Sequence, residues 1–162
     1  MKNYICMGFT LTNQYSDTLN KLFKGIKVDG YTWHVAYSQN FYSKNDNRGE
    51  FLPNGIYGGI EFKETIENSE YYILFIALYG VPNGLEFDID AVGNYDDYLK
   101  SNAEIAMFAA DGLVDLFAKD SCVLDMIYQN CKENDGDFID FKERDIELFT
   151  SVEENGRTGF YV

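Results

Sequence analysis

The sequence is poor in residues on which several kinds of protein depend. Its 162 residues include 3 cysteines, 2 prolines, 1 tryptophan and 1 histidine. Cys122 and Cys131 lie in one predicted helix, too far apart along its axis to be bridged. A disulfide scaffold is therefore excluded. A four-ligand zinc site is excluded too, because the chain has no Cys-x-x-Cys pair and no second histidine.

Basic residues are also scarce, with 13 Lys and Arg against 27 Asp and Glu and a formal net charge of −14. Because binding to phosphates requires Lys and Arg to displace counterions, direct contact with nucleic acid is not expected, and an anionic membrane is disfavoured equally. The longest apolar stretch, residues 71–79, is too short for a transmembrane helix. The first residues lack the long apolar region of a signal peptide, which predicts a cytoplasmic protein.

A hydrophobic content of 46% favours a packed core over disorder. With no linker-like tract or internal repeat, residues 1–162 are predicted to form one domain. The hydrophobic periodicity predicts an α+β fold, in which about four helices pack on a mixed or antiparallel sheet as a single pair of layers. Tyr71 to Leu78, apolar on both faces, is the predicted centre of the sheet.

The individual elements follow from alternation, capping residues and turn formers. Strands are predicted over residues 4–11, 31–38, 71–78, 103–110, 113–119, 137–141 and 146–149. Helices are predicted after Ser16, over residues 60–68, after Asn94 and from Asp120. The dipeptide Asp111-Gly112 favours a type I′ hairpin turn, and residues 39–55 are predicted to form one long surface loop.

Negative charge is concentrated in the second half of the chain. Residues 1–84 hold 8 acids and 7 bases, whereas residues 85–162 hold 19 acids and 6 bases. Exposed tyrosines among carboxylates are suited to protein recognition, because they offer a large, rigid contact area. The candidate binding residues are Asp88, Asp90, Tyr95, Asp96, Asp97, Tyr98, Asp135, Asp137 and Asp140.

The sequence supports a catalytic or metal-binding function less well than it supports protein recognition. The alternating carboxylates that start at Asp88 do not continue into a calcium loop, because Leu99 stands at the twelfth position instead of Glu. His34 is the one candidate general base, but it lies on the polar side of its strand and no partner for it can be specified. Tyr57-Gly58-Gly59-Ile60 before a helix is a turn rather than a phosphate loop. No catalytic residue, metal or cofactor is predicted.

Three short segments are distinctive: Tyr31-Thr32-Trp33, Tyr98-Leu99-Lys100-Ser101 and the closing Glu154-Asn155-Gly156-Arg157-Thr158. With them, the sequence resembles a small uncharacterised family of single-domain proteins from Bacillus and related Firmicutes. The similarity covers almost the whole chain. It implies a bacterial cytoplasmic origin and supplies neither an activity nor catalytic residues, since the family is a domain of unknown function.

The leading functional hypothesis is an acidic, non-enzymatic interaction protein of the immunity type, which binds and neutralises a basic partner such as a toxin. It requires that the carboxylates form one recognition surface, which would speed encounter with a positively charged protein. One alternative is a phage-type inhibitor of host defence or a DNA mimic. A second is an enzyme or small-ligand-binding protein with a pocket near His34.

Overall fold

A computed structural model describes residues 6–43 and 49–143 of the chain. The strands are β1 (Cys6–Leu11), β2 (Tyr31–Tyr42), β3 (Gly55–Tyr57), β4 (Tyr71–Pro82), β5 (Ile105–Ala110), β6 (Leu113–Ala118) and β7 (Phe138–Glu143). The α-helices are α1 (Thr18–Leu22), α2 (Gly59–Glu67), α3 (Tyr95–Lys100) and α4 (Ser121–Glu133), with short 3₁₀ helices at Val28–Gly30 and Ile89–Ala91. The fold is α+β, as predicted.

These strands form one sheet in the order β3-β2-β4-β5-β6-β1-β7, and every pairing is antiparallel. Of the two predicted arrangements, mixed or antiparallel, the structure has the antiparallel one. β4 is an interior strand between β2 and β5, but β5 occupies the middle of the order. The apolar run over Tyr71–Leu78 thus identified an interior strand rather than the central one.

Three helices cover the first face of the sheet and form the larger core with it. Leu22 of α1, Phe62 of α2 and Ile127 of α4 are almost fully buried there. Trp33 stacks on Phe62 with ring centroids 4.4 Å apart, and its indole N–H donates to the carbonyl of Val28 at 3.0 Å. This core follows from the apolar faces that the helical periodicity predicted.

The second face of the sheet is covered at one end by residues 85–104, which include α3. Tyr79, Phe108 and Phe117 point to this face, and Phe87 and Tyr95 pack against them. Side chains two residues apart share a face of a strand, so successive same-face rows lie about 7 Å apart. The predicted single pair of layers describes the first face, and this segment adds a partial third layer.

The prediction of one long loop over residues 39–55 is wrong at both ends. β2 continues through Tyr42, and Gly55 begins β3. Phe51 and Leu52 are buried, and the Phe51 ring stacks on Tyr71 with centroids 3.7 Å apart. The turn-forming residues of this segment predict a surface loop. Burial of two large apolar side chains is nevertheless enough to hold an otherwise polar segment against the core. Residues 44–48 lie outside the described ranges.

Two further local predictions need correction. Ser16 does not cap α1, because its backbone pairs with Tyr71 and Asp17 occupies the N-cap position. Tyr37 shares the two-residue alternation of Trp33 and Val35 in the predicted strand over residues 31–38, yet its side chain is 72% exposed, whereas theirs are buried. Its φ of 52° marks an irregularity in β2 at which the pairing with β4 shifts register.

Other capping and turn signals are confirmed. Asp111 and Gly112 have φ values of 50° and 86°, as a type I′ turn requires, and join β5 directly to β6. Asn94 and Asp120 accept backbone N–H groups at the starts of α3 and α4. The strand expected over residues 146–149 lies outside the described part of the chain.

Candidate functional site

The acidic cap, defined as residues 85–104, carries six carboxylates and one lysine. Two hydrogen bonds fix it near its ends. The side-chain amide of Asn102 donates to the carbonyl of Glu86 at 2.7 Å, and the backbone N–H of Glu104 donates to the carbonyl of Gly80 at 2.9 Å. The cap is therefore tied to itself and to the end of β4.

Local hydrogen bonds hold the carboxylates of the cap. Asp88 accepts the backbone N–H of Asp90 at 3.0 Å and so caps the short 3₁₀ helix. Asn94 accepts the N–H of Asp97 at 2.8 Å, while the Asp97 carboxylate accepts the N–H of Gly93 at 3.1 Å. These contacts lower the conformational freedom of the cap and hold two of its six carboxylates, those of Asp88 and Asp97, in defined positions.

A cleft of about 300 Å³ opens between the 3₁₀ helix and α3. It is lined by Glu86, Phe87, Asp88, Ala91, Val92, Asp97, Lys100, Ser101 and Asn102. The lining thus contains three carboxylates, one lysine and the apolar side chains of Phe87, Ala91 and Val92. Such a cleft suits a cationic side chain with an aliphatic stem, because the stem packs on the apolar wall and the charge meets carboxylates.

Tyr95 and Tyr98, the two tyrosines predicted to bind a partner, pack between the cap and the sheet. Tyr98 is only 1% exposed, and its hydroxyl donates to the carbonyl of Glu104 at 2.8 Å. The ring of Tyr95 is half-buried against Phe117, with centroids 5.8 Å apart. Tyr98 is therefore buried and not part of an exposed surface, because the aromatic spacing that suggested a surface belongs to the second core.

Lys119 reaches the cap from the end of β6. Its ammonium donates to the carbonyl of Ser101 at 2.6 Å and lies 5.1 Å from the centre of the Tyr98 ring. Burial lowers the pKa of Lys119, and the Glu104 carboxylate opposes that shift. This lysine stabilises the C-terminal end of α3, where a cation meets the free carbonyls of the helix.

The other predicted carboxylates, Asp135, Asp137 and Asp140, lie outside the cap, in β7 or just before it. The cap packs on Cys6 at the start of β1, whereas Phe138 pairs with Leu11 at its other end, so Asp137 lies about 17 Å along the strand direction from the Cys6 end. Asp137 is engaged in an ion pair with Lys21 at 2.9 Å, which raises the pKa of that lysine. The carboxylates thus form two separate groups rather than one.

His34 is buried rather than solvent-facing. It is 8% exposed, pairs with Tyr79 across the strands and meets the ring of Phe87. Desolvation lowers the pKa of His34, so the neutral imidazole is favoured. Its polar neighbours in sequence, Thr32 and Ser38, gave no sign that the cap would cover it.

No three His, Cys, Asp or Glu side chains converge on a metal-binding position within residues 6–43 and 49–143. In the same ranges, every helix is too short or too polar to cross a bilayer. The cleft residues Phe87, Lys100 and Asn102 were not predicted from the sequence. Their only signal was proximity to Asp88 and Asp97 along the chain.

Comparison with known proteins places this small α+β chain with an acidic cap in a family of related sequences. The family model described as "Protein of unknown function (DUF2691)" matches residues 4–151, and the chain belongs to this family. No curated protein and no solved structure matches the chain.

Proposed function

We propose that this is an acidic, non-enzymatic interaction protein of the bacterial cytoplasm, which binds and neutralises a basic protein such as a toxin. The observation that carries the proposal is the acidic cap. Because Asp135, Asp137 and Asp140 lie outside it, the acidic recognition surface is confined to the cap. Glu86, Asp88, Asp90 and Asp96 are exposed on it, and the cleft places three carboxylates around one cavity. Lys100 is the one cation that the cap itself contributes.

Electrostatics supports binding through the cap. A surface of one sign accelerates encounter with an oppositely charged partner, with association rates of up to about 10⁸–10⁹ M⁻¹s⁻¹ at low salt. A buried contact then fixes the complex, and the cleft offers a place for a lysine or arginine of the partner. In the immunity role, the bound chain blocks the partner's own working surface.

The direct test pairs two variants of equal net charge. The cap variant carries Glu86→Gln, Asp88→Asn, Asp90→Asn and Asp96→Asn, in which asparagine at position 88 retains the cap of the 3₁₀ helix. The control variant carries Glu61→Gln, Glu64→Gln, Glu70→Gln and Asp125→Asn, all at exposed positions outside the cap. Each variant loses four negative charges.

Both variants are co-expressed with the basic product of a neighbouring gene, and binding is measured at about 50 mM and about 500 mM salt. We expect the cap variant to lose at least tenfold in association rate and to lose protection, while the control keeps both. Equal losses in the two variants would mean that only net charge matters. If the wild type binds and protects against no such product, the proposal fails. Competition with duplex DNA for a DNA-binding enzyme would favour the DNA-mimic alternative.

A further inference from the structure

A row of residues crosses the second face of the sheet beside the cap. It contains one residue from each of six strands, which the strand register places on one line: Gln39, Phe75, Ala110, Leu113, Thr10 and Ile139. We call it the outer row. Six strands at about 4.8 Å spacing make it about 24 Å long.

The side chains of the outer row are accessible to solvent, whereas those of the adjoining row are buried. In the adjoining row, which lies nearer to the cap, Phe108 pairs with Asp115, and each is 3% exposed. In contrast, Leu113 is 44% exposed and Ile139 is 39% exposed, and no member of the outer row is buried. The cap therefore ends before it reaches the outer row.

Aromatic side chains extend the open area at one end of the outer row. Phe41 is 46% exposed and pairs with Tyr72, the next same-face position beyond Phe75. Tyr15 is 40% exposed, and its ring centroid lies 5.8 Å from that of Tyr72. Contiguous exposed aromatic and aliphatic side chains on a sheet are typical of a protein interaction surface.

The charges around this surface decide what fits it. The cap borders it on one side, and Asp111 follows directly on Ala110 at the opposite edge. A second copy of the chain would bring the same acidic borders and a net charge of −14 into contact with them. A protein with a large apolar side chain ringed by Lys and Arg complements both the centre and the border.

We infer that the outer row and the acidic cap together form one docking surface for a basic protein that inserts an apolar anchor over Leu113 and Ile139. The inference rests on the proposed function and specifies its partner. The cap attracts and orients the basic residues, and the outer row supplies the apolar burial that slows dissociation.

The test uses the full ¹⁵N-labelled chain and three synthetic peptides of roughly fourteen residues, long enough for an amphipathic helix. One peptide is built of Leu and Lys, the second of Leu and Glu in the same pattern, and the third of Lys alone. The variant Leu113→Ser/Ile139→Ser is compared with Ile60→Ser/Met126→Ser, which removes two exposed apolar side chains from the helical side. Peptide affinity is measured by fluorescence and the contact surface by amide shifts.

We expect the Leu/Lys peptide to bind and to shift the amides of the outer row and of the cap, with the Leu/Glu peptide inactive. Leu113→Ser/Ile139→Ser should weaken binding at least tenfold, and the control variant less than twofold. If the Lys-only peptide binds as tightly as the Leu/Lys peptide, or the two variants bind alike, the outer row is not used and only this inference fails. If neither cationic peptide binds, the proposed function fails with it.

Two other occupants are detected in the same samples. Self-association that Leu113→Ser/Ile139→Ser abolishes would identify a second copy as the occupant and overturn the inference. Nuclear Overhauser contacts from the Leu113 methyl groups to residues of the same chain outside the described ranges would overturn it as well.

Discussion

The imidazole of His34 meets the ring of Phe87 edge-on, with ring centroids 4.9 Å apart. This contact joins β2 to the acidic cap, and Tyr79 lies against the same Phe87 at 5.1 Å. The single histidine of the chain is thus buried at the place where the cap rests on the sheet. The protonation state of His34 and the packing of the cap on the sheet are therefore linked.

The first prediction concerns pH. Because burial lowers the pKa of His34 in the folded protein, the unfolded chain binds a proton more readily, and stability is lost as pH falls below the ordinary histidine value of about 6.5. We expect the urea midpoint of the wild type, relative to His34→Gln, to decrease between about pH 7.5 and about pH 5.5. Taking the difference between the two urea midpoints cancels the pH effect of the carboxylates that both proteins share. A difference that does not change with pH would contradict the burial of a neutral imidazole.

The second prediction compares two adjacent tyrosines. The Tyr71 hydroxyl accepts the N–H of Leu19 at 3.0 Å and donates to the carbonyl of Ile66 at 3.1 Å, both in the core. Tyr71→Phe leaves those two groups unsatisfied and should reduce the free energy of unfolding by about 1–3 kcal/mol. Tyr72→Phe, at a half-buried position, should change it by less than about 0.5 kcal/mol. Urea denaturation measures both, and equal effects would argue against the hydroxyl contacts.

The third prediction concerns the close backbone packing around Gly59. A Cβ at Gly59 would lie 2.4 Å from the carbonyl oxygen of Asp29 and 2.6 Å from that of Tyr31. Gly59→Ala should therefore destabilise the fold by about 1–3 kcal/mol or more, because backbone cannot move aside as a flexible side chain can. Gly136→Ala, with no heavy atom within 4 Å of its Cβ, is the control. A thermal unfolding midpoint that falls equally in both variants would contradict this close packing.

The fourth prediction concerns a polar link between helices. The side-chain amide of Asn130 in α4 donates to the carbonyls of Leu22 at 2.9 Å and Lys24 at 2.8 Å, near the end of α1. Asn130→Ala should lower the free energy of unfolding by about 1–3 kcal/mol, since two carbonyls lose their donor, one of them buried and the other partly buried. The exposed neighbour Gln129→Ala serves as the control in the same urea series. No difference between them would show that water replaces the amide without loss.

The fifth prediction tests the three thiols. Cys122 is exposed, whereas Cys6 and Cys131 are buried, and burial raises the pKa of Cys131 to about 12. At about pH 8 a disulfide reagent should label one thiol per native chain and all three in urea. Cys122→Ser should remove the native reaction. Rapid labelling of a second thiol would contradict the burial of that residue.

Much of the fold was predictable where the signal is local. Asn94, Asp120 and Asp111-Gly112 were placed correctly because capping and type I′ turns depend on a few adjacent residues. Ser16 and the 39–55 segment were misplaced because distant partners decide them. Ser16 pairs with Tyr71, and Phe51 is held by the same tyrosine across the core.

The candidate site was predictable only in part. The carboxylates of the cap were identified, and Asp88 and Asp97 do line one cleft. The sequence could not show that Tyr98 points into the second core, since its spacing suits an exposed face equally well. Nor could it show that the outer row remains open, because Leu113 and Ile139 align only through the register of three strands.

By itself the sequence determined the fold class, the caps of α3 and α4, the turn between β5 and β6, and the concentration of negative charge in the second half of the chain. These properties arise from composition and from contacts between residues close along the chain. The tertiary structure alone decided which carboxylates share a surface, that His34 is buried under Phe87, and which part of the second face is left uncovered. Those outcomes depend on strand order and register, which bring together residues up to a hundred positions apart in the chain.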